Sequence, residues 1–477
     1  MRAGGMMNVI PSDDRTWSSA TKWAGARVTV MGLGLFGGGV GATRFAVGLG
    51  ARVTVTDLRP EEQLAESLEA LRGLPVRYVL GRHEEADFRE ADLVIVNPAV
   101  PLVSPFLEIA RQAGVPLTTE LLLFVERCAG RIVAVSGSNG KTTTTSLIGA
   151  ILAAHDPRTV VGGNLGRSLL AEAASIEEGA PVVLEVSSFQ LEWLGPARWA
   201  PEIGVLTNLS PNHLDRHGTF DAYVAAKREL LAHQPPTGAA VLNAADERLC
   251  EMAKSLPGRT FWFDSRGTCR PGAWVEDGEI ILALERKPQP VMRARDIPLV
   301  GMHNRENVLA AVVAAGVWGV TSEVIADAVQ AFKPVEHRLE FVREVGGVRY
   351  YNDSIATTPE SAICALRSFE PGQLLLIAGG YDKKIPFDAL GPEIAARAGG
   401  LIVLGATAEK IACAAESAGF PAERIHRVGT LAEAVALTAK IARPGQAVSL
   451  SPACASYDQF RNFQERGLLF KSLVMKL

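Results

Sequence analysis

The sequence predicts an α/β protein of three domains: a Rossmann-like N-terminal domain, a central P-loop ATPase domain with a mostly parallel sheet, and a Rossmann-like C-terminal domain. Three observations carry this expectation. Short β-branched runs alternate with helical patterns, which makes parallel sheets covered by helices. Two glycine-rich loops each follow a predicted strand and open a helix. The 477 residues, at about 150 per domain, make roughly three domains. The expected division is an irregular extension over 1–26, a first domain over 27–128, a central one over 129–333 and a last one over 334–477.

Composition narrows the class. Hydrophobic residues at 48% and charged ones at 21% supply several cores and exclude global disorder. A net charge of -4 gives no general attraction to nucleic acid or an anionic membrane, so an anionic ligand has to be held locally. No run of 18 apolar residues occurs, and residues 1–25 carry no apolar signal-peptide core, so membrane insertion is not expected. Six cysteines lie far apart with no C-x-x-C pair, as in reduced cytoplasmic proteins rather than zinc or dithiol sites.

In chain order, a strand over 27–31 runs into Gly32-Leu33-Gly34-Leu35-Phe36-Gly37, and Asp57 follows twenty residues after Gly37 at the end of the next strand. This is the dinucleotide fingerprint in context: glycines let the backbone approach a diphosphate at a helix N-terminus, and Asp57 accepts from a ribose or base. The alternative is that the glycines only allow close helix-on-strand packing. After a strand over 93–97, the strand over 131–135 leads into Ser136-Gly137-Ser138-Asn139-Gly140-Lys141-Thr142-Thr143 and a helix over 144–154. Backbone N–H groups there would cradle phosphates, Lys141 would neutralise the terminal ones and Thr142 would hold Mg2+. Val135 stands where the longer G-x-x-x-x-G-K-[ST] loop needs glycine, so this is the shorter G-x-x-G-K-T form.

The apolar strand over 181–186 contains Glu185 near its end, where a second oxygen ligand for Mg2+ would sit; an ordinary strand-end charge is the alternative. A strand over 203–207 enters a 208–218 loop with His213, Asp215 and His217, which are metal ligands or simply solvated side chains. Thr219 is a credible N-cap for a helix on which Phe220, Tyr223, Val224, Lys227, Leu230 and Leu231 form one apolar stripe. Lys227 therefore either snorkels or is held inside with a lowered pKa, open to chemical modification. A hairpin over 340–345 and 348–352 precedes strands over 374–378, 401–404 and 447–451.

Together, the short phosphate loop, the Glu185 to Glu192 segment (E-V-S-S-F-Q-L-E), Asn212-His213-Leu214-Asp215-Arg216, Ala225-Ala226-Lys227 and Gly301-x-His303-Asn304-x-x-Asn307 resemble the Mur ligase family. The ending S-P-A-C-A-S-Y-D-Q-F over 451–460 is most similar to its branch that adds D-glutamate to UDP-N-acetylmuramoyl-L-alanine. The resemblance runs from about residue 27 to residue 477. It implies an ADP-forming amide ligase of peptidoglycan precursor synthesis, and hence of cell-wall biogenesis, cell shape and division, acting through an acyl phosphate with ATP and Mg2+. It further implies the UDP-sugar, glutamate and ATP as partners, and a monomer is expected.

Carried over by motif, the resemblance makes Gly137, Ser138, Asn139, Gly140, Lys141, Thr142, Thr143, Asn304, Asn307, Arg338 and Asp353 nucleotide contacts. Thr142 and Glu185 would hold the first metal, and His213 and Lys227 the second, Lys227 as a carbamate; Lys141, His213 and Lys227 are the implied catalytic residues. Leu33, Gly34, Asp57, Arg59, Asn164 and Ser187 would meet the UDP-linked substrate, and Lys383, Ser456 and Phe463 the amino acid. One departure stands out. Where the pattern reads N-D-S-K-A-T-N, this chain has Asn352-Asp353-Ser354-Ile355-Ala356-Thr357-Thr358. Ile355 removes a cation, which makes L-glutamate the alternative substrate. The remaining rivals are a nicotinamide-dependent oxidoreductase resting on the Gly32 fingerprint, a non-enzymatic nucleotide-binding switch, and a sibling ligase adding another amino acid.

Overall fold

The computed structural model describes residues 17, 20–34, 37–164, 168–285, 287–333, 335–382 and 385–477. Two compact units divide the chain: residues 1–293 with 308–328, and residues 294–307 with 329–477.

The first unit holds two sheets. Its five-stranded parallel sheet runs Val76–Leu80, Arg52–Asp57, Arg27–Met31, Leu93–Val96, Leu117–Thr118 in space, a 3-2-1-4-5 order. The order reverses between Arg27–Met31 and Leu93–Val96, and such a switch point opens a crevice at the carboxyl ends of the strands. The Gly32 loop and Asn97 both lie there. Asn97 donates to the Gly32 carbonyl at 3.2 Å. A Cβ at Gly34, whose φ is +65°, would lie 2.8 Å from Asn97 Nδ2, so a side chain is excluded on both conformational and steric grounds.

The second sheet of this unit has nine strands. Ile203–Leu206, Arg131–Ser136, Pro181–Glu185 and Val160–Gly163 lie side by side and parallel, and all five residues of Pro181–Glu185 are buried. The Val/Leu run reads as a strand covered on both faces. At the other side, Ala239–Asn243 and Arg259–Asp264 continue the parallel order, and Gly272–Glu276, Glu279–Ala283 and Gln289–Arg293 end it with two antiparallel pairings. That edge was not legible in the sequence, because its strands are mixed in polarity and none of them alternates cleanly.

The second unit is a six-stranded sheet in the order Glu340–Val345, Val348–Asn352, Ala447–Leu450, Leu374–Ala378, Ala398–Val403, Ile425–Arg427. The first pair is the expected antiparallel hairpin and the rest are parallel. Core clusters cover both faces: Leu376, Ala378, Leu401 and Val403 on one, Leu375, Ile377, Ile402 and Leu450 on the other. The structure therefore has the expected mixed α/β architecture with three mostly parallel sheets. Among the described residues no helix is long and apolar enough to cross a membrane, and all six cysteines are free. Lys383, Leu35, Phe36, Pro334 and residues 1–16 of the expected extension lie outside the described residues.

Candidate active site

The phosphate loop follows Arg131–Ser136 and opens the helix Lys141–His155. Gly140 caps that helix in the left-handed region at φ +81°. Gly137 has φ +139°, and a Cβ there would sit 1.9 Å from Thr207 Oγ1. Both glycines are therefore required by the backbone path. Asn208 fastens the loop by accepting from the Asn139 N–H at 3.0 Å and donating to the Asn139 carbonyl at 3.1 Å. Ser138 Oγ meets Tyr223 Oη at 2.9 Å and accepts from the Ser210 N–H. Thr143 is buried at the helix start. The Lys141 ammonium folds onto the Ser138 carbonyl at 2.9 Å, inside its own loop.

Around this loop the structure gathers an oxygen-rich group. The Thr142 hydroxyl donates to Glu185 Oε2 at 2.7 Å, and Asn164 Nδ2 donates to Glu185 Oε1 at 3.0 Å. Glu185 is buried at the end of its strand. A carboxylate and a hydroxyl are hard oxygen donors of the kind Mg2+ takes.

Lys227 answers the sequence question. It is 1% exposed on the helix Phe220–Arg228, with Thr219 as the expected N-cap, so it does not snorkel. Its ammonium donates to Ser136 Oγ at 3.2 Å and lies over the Tyr223 ring at 4.8 Å. Burial, then repulsion from Lys141, holds its amine well below the ordinary lysine range, against a smaller pull from Glu185. A deprotonated lysine amine is a nucleophile, and a lowered pKa favours that form. His213, expected beside it, starts the short helix Leu214–His217 in the left-handed region, exposed, with its ring 5.0 Å from Phe189.

Several expected contacts also carry structural work. Leu33 is a fully buried core side chain, so only its backbone can meet a ligand. Asp57 accepts from the Gly34 N–H at 3.2 Å and the Arg59 N–H at 2.9 Å; it braces the glycine loop with the oxygens that were expected to meet a ribose. Arg59 is exposed beside it. Ser187 forms a capping box with Gln190 at the start of the helix Ser188–Leu194, which occupies its hydroxyl.

In the second unit, Asn307 donates to Asn304 at 3.0 Å and Asn304 to the Val300 carbonyl at 2.7 Å. Asp353 is buried and accepts from the Leu339 N–H; burial pushes its carboxyl up to about 7 against the Ser451 hydroxyl and Arg338. His303 is pushed down to about 4 by burial and then by Arg338. Arg338, whose Nε has no hydrogen-bond partner, thus lies in the field of both. Ser456 is buried, and the Phe463 ring stands 5.8 Å from His337. Arg466, which the sequence did not single out, donates to the Ser354 hydroxyl and carbonyl and to the Cys454 and Ala455 carbonyls. It ties the departing 352–358 segment to the 451–460 segment. Within the former, Thr358 caps the helix Pro359–Leu366, which gives that departure a structural role. The Glu336, His337, Glu340 group has metal-like spacing. Lys471, 2.9 Å from Glu336 and 2.5 Å from Glu340, makes it an ion-pair cluster instead.

Three family models match in chain order: "Mur ligase MurD-like, N-terminal domain" over residues 26–119, "Mur ligase middle domain" over 135–315, and "Mur ligase, glutamate ligase domain" over 337–454. The UDP-N-acetylmuramoylalanine--D-glutamate ligase of Roseiflexus sp. (strain RS-1) is 45% identical over 461 residues, covering 94% of this chain and 98% of that one. The protein of the same name from Acidobacterium capsulatum is 43% identical, covering 94% and 96%. Among solved structures, the UDP-N-acetylmuramate-alanine ligase MurC of Thermotoga maritima superposes with a TM-score of 0.61 at 20% identity, over 94% of this chain and 99% of that one, which shows a shared fold.

Proposed function

This chain belongs to the Mur ligase family, and we propose that it is the ATP-dependent ligase that joins D-glutamate to UDP-N-acetylmuramoyl-L-alanine in peptidoglycan precursor synthesis, a cytoplasmic reaction. The observation that carries the reading is the Thr142–Glu185–Lys227 group around the phosphate loop, together with near-full-length identity to ligases of that name. The three domains of the family fall, in this reading, at 27–128, 129–333 and 334–477. The nicotinamide rival is set aside, because it leaves the loop over 137–142 and the buried Lys227 without a role.

Ligation has to make a carboxylate electrophilic. One carboxylate oxygen of the UDP-linked substrate attacks the γ-phosphorus of ATP; the bond to the β-phosphate oxygen breaks and ADP leaves. The glutamate amine then attacks the acyl carbon, the tetrahedral adduct expels phosphate, and the nitrogen gives up a proton. Each stage brings anions together, so the burden on the protein is charge neutralisation and alignment. The loop N–H groups and Lys141 serve the β- and γ-phosphates. Thr142 and Glu185 would hold Mg2+, and the hard oxygen set fits it; bound there, the ion neutralises phosphate charge. Lys227, whose amine burial holds well below the ordinary lysine range, would in its deprotonated form add to CO2 through its nitrogen with loss of one proton, giving an anion that with His213 could hold a second ion. Asn304, Asn307, Arg338 and Asp353 serve the rest of the nucleotide, Asn164 and Ser187 the sugar-peptide, the Leu33 backbone, Gly34, Asp57 and Arg59 the uridine diphosphate, and Lys383, Ser456 and Phe463 the glutamate. The enzyme acts as a monomer.

The test is isotope transfer. With the alanyl carboxylate labelled with 18O, the released phosphate should carry one labelled oxygen. Unlabelled phosphate from a reaction that forms the amide would reject the acyl phosphate.

A further inference from the structure

Arg216 and Glu192 belong to the motifs that identified the family, yet the chemistry above uses neither. Their geometry is specific. The guanidinium of Arg216 donates to Glu192 Oε2 at 2.9 Å, to the Ala99 carbonyl at 3.2 Å and to the Pro98 carbonyl at 3.4 Å, and it stacks 5.1 Å over Phe189. Both side chains of the pair are mostly buried, at 12% and 14% exposure. The other Glu192 oxygen lies 3.3 Å from His217 Nδ1, and His217 Nε2 meets Ser188 Oγ at 3.0 Å. The network thus joins the 208–218 loop to the helix Ser188–Leu194, which starts three residues after Glu185.

Its far end is the informative one. Pro98 and Ala99 follow Asn97, the residue packed against Gly32 and Gly34 and bonded to the Gly32 carbonyl. Asn97 Oδ1 also accepts from the Ala99 N–H at 3.0 Å. A fork of N–H donors on the loop that carries His213 therefore grips the turn that supports the glycine loop of the other sheet. A planar guanidinium presents its N–H donors in a rigid fork that spans a carboxylate and two carbonyls, a geometry and reach that a compact ammonium lacks.

We propose that Arg216, oriented by Glu192, is a positioning residue that registers the His213 loop to the 97–100 turn, and so sets the distance between the glycine loop and the phosphate loop. This rests on the ligase reading, in which one substrate must reach from the first loop to the second. Misplacement of reacting groups by about 1 Å can cost on the order of 10²-fold in rate.

The experiment compares the full-length protein with Arg216→Met, Arg216→Lys, Glu192→Gln and the double variant Arg216→Met/Glu192→Gln. It measures kcat and KM for each substrate by phosphate release, binding of UDP alone and of ATP by calorimetry, and thermal midpoints. Arg216→Met should lower kcat/KM for the UDP-linked substrate by about 100-fold while leaving UDP binding, ATP binding and the ATP KM within about twofold. Arg216→Lys should not rescue, and the double variant should be no worse than Arg216→Met alone, because both act through one contact. Unchanged kinetics in Arg216→Met and Glu192→Gln would overturn the inference. So would equal losses in UDP binding, ATP binding and turnover, which would mark a merely structural ion pair. Should Arg216→Met fail to fold, Glu192→Gln carries the same comparison. A silent wild-type protein would instead reject the ligase reading, and this inference with it.

Discussion

Lys227 and Arg466 are both cations buried to within 2% of full, one beside the phosphate loop and one beneath the C-terminal signature. Burial lowers the pKa of each, well below the ordinary range for Lys227 and to about 10 for Arg466. They differ in how their donors are used. Arg466 bonds four of its five N–H donors to protein oxygens. Lys227 makes one such bond, to Ser136 Oγ. A buried polar group that the fold leaves under-satisfied costs stability, and that cost marks a place where a ligand or a modification completes the environment. In the ligase reading, the fuller use of donors, rather than burial, separates the structural cation from the functional one.

The largest expected effect separates the two by activity. Lys227→Ala should reduce phosphate release by a factor on the order of 10³ while the thermal midpoint stays level or rises, since an under-satisfied cation is gone. A clear fall in midpoint would place Lys227 with Arg466. Conversely, Arg466→Met should cost about 2–4 kcal/mol by removing the donor from the buried Ser354 and Cys454 carbonyls. Urea unfolding checks this, and an unchanged midpoint would contradict it.

Asp353 sharpens the contrast through pH. Its carboxyl is raised from 3.8 to about 7 by burial, so the folded chain binds a proton more tightly than the unfolded one. Its contribution to stability is fully present below about pH 4 and is lost as pH rises through about 7. Asp353→Asn should flatten the stability-pH curve between those values, read by denaturant midpoints at several pH values; an unchanged slope would contradict it. The smallest effect concerns Ser187. Ser187→Ala should cost about 1 kcal/mol through the lost capping box. A rise in KM for the UDP-linked substrate without that loss would make its role purely one of binding.

Much of this was legible in the sequence where local chemistry and backbone demand coincide. The phosphate loop, the Thr219 cap and the inward Lys227 follow from spacing, because a helix stripe or a glycine turn dictates them within ten residues. What escaped depends on partners far along the chain. Asp57 is spent partly on the Gly34 N–H, and Leu33 on the core. Arg466 gave no local signal, since its acceptors lie 11 to 112 residues away. The antiparallel edge Gly272–Glu276 to Gln289–Arg293 lacked a clean alternation of polar and apolar residues.

Ile355 leaves one substrate question that geometry frames and turnover answers. Its backbone N–H donates to the His337 carbonyl at 3.2 Å. Phosphate release from Mg-ATP and UDP-N-acetylmuramoyl-L-alanine, run in parallel with D-glutamate, L-glutamate and no amino acid, tests the account most directly. Release that requires D-glutamate is the predicted result. Release with L-glutamate alone, or none in any of the three, would contradict it.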